Sequence, residues 1–91
     1  MTSKYRLEDR YVSYEVREPE LKGTEVGEVV LNILVDSSGD VKSAKLQSAT
    51  GITNEEVIEA CKKAALKTNF NSNYDHRENK TGTITYTFSA K

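Results

Sequence analysis

This chain is poor in the residues that usually carry chemistry. Among its 91 residues are one cysteine, Cys61, one histidine, His76, and one proline, Pro19. A lone cysteine excludes an internal disulfide and leaves the redox compartment open. No charge of either sign dominates: 13 basic residues stand against 14 acidic ones, mixed along the chain. That balance supplies no electrostatic argument for nucleic acid or for an anionic membrane. No run reaches the ~18 to 20 apolar residues needed to span a bilayer. No charged-then-apolar N-terminal stretch reads as a signal peptide. There is no glycine-rich phosphate loop, no Gly-x-Ser-x-Gly and no histidine beside a plausible nucleophile. The expectation is a chain with no catalytic residues, no cofactor and no metal.

What is present suits one small domain. A hydrophobic fraction of 36% and a charged fraction of 30% fall in the range of a globular fold. A chain this short buries roughly two-thirds of its unfolded surface, so its stability is modest. Residues 27–91 read as a compact unit and residues 1–26 as a polar arm. In the arm, Val12, Tyr14 and Val16 alternate, which predicts a short strand over residues 11–16 before Pro19 interrupts.

The first main strand opens at Gly27. Val29, Leu31, Ile33 and Val35 share one face, and Val30 and Leu34 give the other apolar content as well, the pattern of a central strand. The turn Asp36-Ser37-Ser38-Gly39-Asp40 follows, with Gly39 free to adopt a left-handed conformation. In the next strand Ala44 and Leu46 keep one phase and Val41 falls out of it, so a bulge is expected near Ser43. Thr53-Asn54-Glu55-Glu56 fits a capping box. The helix behind it carries Val57, Ile58, Cys61, Ala64 and Ala65 on one face, acids early and lysines late, in keeping with its dipole. Residues 69–80 form a polar loop anchored by Phe70 and Tyr74, and a strand from Gly82 closes the chain.

These pieces predict an α+β fold: an antiparallel three-stranded sheet in the order second, first, last, with one helix on one face. A helix after the second strand returns the chain, so the last strand pairs beside the first. The last strand then lies at an edge, with Ile84, Tyr86 and Phe88 toward the helix and Thr83, Thr85 and Thr87 on the other side.

In order and spacing the residues resemble the TonB C-terminal domain family, in the divergent form of Bacteroides-type energy transducers. The resemblance rests on a glycine and apolar strand, Asp36-x-x-Gly39, Val41, Ser48-x-Thr50-Gly51, the Ala-Ala-Leu-x-x-x-Phe-Asn helix end at residues 64–71, and Gly-Thr-Ile-Thr-Tyr-x-Phe at residues 82–88. It covers about 65 residues. The chain departs from the pattern at Glu20-Leu21, where a second proline is usual, and at Thr68-Asn69 and Asn71 around Phe70. The resemblance implies a periplasmic domain, held at the inner membrane by a segment outside these residues. Such a domain grips a short peptide of an outer-membrane transporter by strand addition. The implied binding edge is Thr83, Ile84, Thr85, Tyr86, Thr87, Phe88 and Ser89, whose backbone would supply the hydrogen bonds. The alternative is a self-associating module whose edge is filled by its own N-terminal strand or by a second copy in a homodimer.

Plainer readings stand beside these. Tyr86 and Phe88 share a phase with Ile84 and fit a core. Cys61 fits a buried small hydrophobe. His76 lies in a polar loop and would need metal ligands from elsewhere. The Asp36 turn has its glycine too early for a calcium loop and Gln47 where a bidentate glutamate belongs. Asn79-Lys80-Thr81 matches a glycosylation acceptor, which matters only in a eukaryotic secretory setting. The threonine row fits a solvated sheet face equally well.

Overall fold

A computed structural model describes residues 2–7, 26–71 and 79–89. Among these residues, four strands and one helix follow in the order β1 (Thr2–Arg6), β2 (Gly27–Val35), β3 (Val41–Thr50), α1 (Glu55–Leu66) and β4 (Lys80–Phe88). The strands form one antiparallel sheet in the order β1-β4-β2-β3. The expected order of three strands holds within it, because β2 lies between β3 and β4. A fourth strand, β1, corrects the count. It lies along the outer side of β4, whose amides and carbonyls would otherwise face away from any partner. The strand expected over residues 11–16, His76 and Tyr74 lie outside the described residues.

Both expected periodicities appear in the burial. Val29, Leu31, Ile33 and Val35 are buried on one face of β2, and Ile84 and Tyr86 continue that layer on β4. Helix α1 packs over β2 and β3 and adds Val57, Cys61, Ala64 and Ala65. Ile58 and Phe88 pack against the edge of this core. Thr68 is buried in the same layer, and its hydroxyl donates to the Ala64 carbonyl at 3.1 Å.

β3 keeps its apolar residues in this layer through two bulges. Leu34 pairs with Ser43 and Val35 with Val41, which leaves Lys42 extra; Val30 pairs with Ser48 and Leu31 with Leu46, which leaves Gln47 extra. Each extra residue resets the phase, so Val41, Ala44, Leu46 and Ala49 all fall opposite the buried face of β2. The expected slip near Ser43 is the bulge at Lys42.

The turn between β2 and β3 is tied by Asp36. Its Oδ1 accepts from the Ser38 amide at 3.0 Å, the Asp40 amide at 3.0 Å and the Ser38 hydroxyl at 2.7 Å. Gly39 takes φ of +95°, and a Cβ there would collide with the Phe70 carbonyl oxygen. That close approach seats Phe70, whose amide donates to the Gly39 carbonyl at 2.8 Å. At the helix start the cap falls one residue later than the capping box predicts. The Asn54 side chain accepts from the Glu56 amide at 2.9 Å, and helix begins at Glu55. A short side-chain acceptor can cap only from the residue just outside the first helical turn, and Asn54 occupies that position.

Candidate functional site

The candidate site is the outer side of β4, and the structure corrects its expected state. Residues 83–87 do not form an edge; they pair with β1 on one side and β2 on the other. Thr2 lies opposite Thr87, Lys4 opposite Thr85, Tyr5 opposite Ile84 and Arg6 opposite Thr83. The physical reason is that β1 satisfies the row of backbone groups that a terminal β4 would leave open. Phe88 and Ser89 lie beyond the β1 register. Ile84 and Tyr86 are fully buried, while Thr83, Thr85 and Thr87 are half-buried on the opposite face.

Two β1-side residues that the sequence reading passed over hold this strand in place. Tyr5 shares the helix-facing side with Ile84, and its ring meets Phe70 edge to face, with centroids 5.4 Å apart and planes at 73°. This is a favourable aromatic arrangement. Leu7, just past the strand, is 8% exposed and belongs to the core. Its space comes from Gly82: a Cβ there would lie 2.8 Å from Leu7 Cδ1 and would run into the Arg6 carbonyl oxygen. Gly82 is therefore needed for close approach of β1. The signal in the sequence is the alternation Tyr5-Arg6-Leu7, too short to stand out without its partner strand.

Among the described residues, the sheet ends at the outer sides of β1 and β3. Both are poor templates for a further strand. β3 carries two bulges, exposed Lys42 and Lys45, and no acidic residue. β1 is five residues long and carries exposed Lys4 and Arg6. Short length, bulges and lysines are the usual protections of an edge against further pairing.

On the face away from the helix, Arg6, Thr83, Asn32 and Lys45 stand in one cross-strand row. Arg6, Asn32, Lys80 and Thr81 also line an open groove where β1 leaves the sheet. Elsewhere among the described residues there is little chemistry. Cys61 is fully buried, and burial pushes its thiol up to about 11, so a thiolate is scarce at neutral pH. Hydrogen bonding from the Ser38 hydroxyl, opposed by partial burial and aided by the Asp40 amide and Lys42, holds the Asp36 carboxyl below its ordinary value. Among the described residues no group of three or more histidine, cysteine or acidic side chains is placed to hold a metal ion. No helix among them is long and apolar enough to cross a membrane.

Comparison with protein families, curated proteins and solved structures found no match for this chain.

Proposed function

We propose that this domain binds an extended peptide by strand addition along residues 83–89, in exchange for its own β1. The single observation that carries this reading is the position of β1: among the described residues it is the shortest strand, at an end of the sheet, paired with β4. About five backbone hydrogen bonds, at ~0.5–1.5 kcal/mol each, hold it there. Ordering the same residues costs about 1–2 kcal/mol per residue. The two contributions are of similar size, so β1 is the strand most readily traded for an equivalent one. The buried, many-sided packing of β2 and β4 makes their own pairing the fixed part.

The partner follows from the resemblance of residues 64–71 and 82–88 to the TonB C-terminal domain family. We take it to be a peptide of an outer-membrane transporter, gripped on the periplasmic side and pulled by an inner-membrane motor. An incoming peptide gains only what β1 gives up, less the cost of association, so affinity is about micromolar or weaker. Weak, reversible binding suits a coupler.

A homodimer in which each copy's β1 pairs with β4 of the other uses the same contacts and is the second reading. β1 favours it as well, because residues 7–26 join it to β2 and a chain of that length has the reach to bridge two copies.

The test is a titration of the isotope-labelled domain with transporter-derived extended peptides. Amide signals along residues 83–89 should shift while those of residues 3–7 move to unpaired positions. Shifts confined to β3, or none at all, would overturn the proposal. Sedimentation across a concentration range separates the dimer from the monomer.

A further inference from the structure

We infer that β4 reads its incoming strand through two side-chain sockets, one at Phe70 and one at Gly82. It therefore selects extended peptides with apolar residues at two alternating positions. This rests on the strand-exchange reading above and deepens it, because β1 then acts as a resident competitor carrying the same pattern.

Tyr5 and Leu7 define the sockets by filling them. The first lies opposite Ile84, where the Tyr5 ring meets the edge-to-face partner Phe70. Phe70 is itself 2% exposed and tied through its amide to Gly39, so this wall stays when β1 leaves. Tyr5 remains 38% exposed, and the socket therefore holds an aromatic ring without enclosing it.

The second socket is the missing side chain of Gly82. Gly82 does not take a positive φ, so glycine is required here by space and not by backbone conformation. Leu7 occupies that space and reaches the core. Any strand laid along β4 in the same register brings one side chain over Ile84 and the next but one over Gly82. The residue between them, in the place of Arg6, projects to the opposite face beside Thr83, as Lys4 does beside Thr85. Both cations are exposed, and among the described residues no ion pair engages them. The open-face positions therefore tolerate polar residues of any kind. Selectivity comes from an aromatic–x–leucine pattern running antiparallel to β4.

The probe is a synthetic peptide with the β1 sequence, Thr-Ser-Lys-Tyr-Arg-Leu, titrated into the full chain and followed by amide shifts along β4. In the Tyr5→Ser, Leu7→Ser chain the resident strand loses both anchors, so the peptide should bind at least about tenfold tighter than to the unaltered chain. A peptide with serine at its tyrosine and leucine should lose about tenfold or more. One with serine at its lysine and arginine should stay within about threefold, as expected of solvated side chains. If the double variant does not fold, Tyr5→Ser alone serves, because that side chain lies partly in solvent. A second variant, Gly82→Ala, closes one socket: it should release β1 and abolish the advantage of leucine over serine in the peptide. Equal binding of the apolar and serine peptides, with shifts still on β4, would overturn the sockets and leave strand exchange standing. No shift on β4 with any peptide, in the chain with weakened β1, would overturn both.

Discussion

A single carboxylate organises the turn that positions Phe70, and its chemistry sets a pH signature. Asp36 accepts three hydrogen bonds from Ser38 and Asp40, and its folded-state pKa is lowered. A lowered carboxyl pKa stabilises the fold above the unfolded value of about 3.9, and that contribution disappears as pH falls through the folded value. Asp36→Ala should therefore cost about 1 kcal/mol at pH 7. Denaturant unfolding of both chains should converge as pH falls through the folded value, where the native carboxyl is protonated as well. A difference that persists unchanged to low pH would assign the effect to the turn backbone. Residue identity alone foretold this turn, because Asp36 and Gly39 have few other uses in that spacing. It did not foretell Tyr5 or Leu7, whose roles depend on Phe70 and Gly82 at the other end of the chain.

Among the elements, helix α1 and strand β1 differ in what holds them. The helix is capped by Asn54 and buries one face on β2 and β3. Asn54→Ala should destabilise the domain by about 1 kcal/mol, and Thr53→Ala should not lose a cap of that kind. Thermal unfolding of the two variants distinguishes an Asn54 cap from a Thr53 cap. Among the described residues β1 pairs with one strand, β4, whereas α1 packs over β2 and β3. In native-state hydrogen exchange, the amides of residues 3–6 should exchange fastest among the strands and those of β2 slowest. Equal protection of β1 and β2 would mean that β1 is fixed, and strand exchange would lose its basis. The helix and strands β2 and β4 were legible because each carries its own periodicity over nine or more residues. β1 was not legible, because a five-residue strand shows little pattern of its own; the strand expected over residues 11–16 lies outside the described residues.

The described residues share one core, which includes Val29 and Leu31 on β2 and Ile84 and Tyr86 on β4. Leu31→Ala should cost about 2–5 kcal/mol, whereas Leu46→Ala, at a site 41% exposed, should cost about 1 kcal/mol or less. Equilibrium unfolding should lose helix and sheet signals together in both variants, since α1 rests on β2, the strand that also pairs with β4. Separate transitions for helix and sheet would show that the layer is not one cooperative unit.

The sequence by itself determined the strand periods, the helix, the tight turn, a bulge near Ser43 and the order β3-β2-β4. All of these follow from alternation, turn chemistry and the return path of a helix. Only the tertiary structure decided that β4 is covered by β1. Backbone hydrogen bonding is indifferent to sequence, so the strand that takes an open position is chosen by side chains meeting across the fold. Here those are Leu7 over Gly82 and Tyr5 against Phe70.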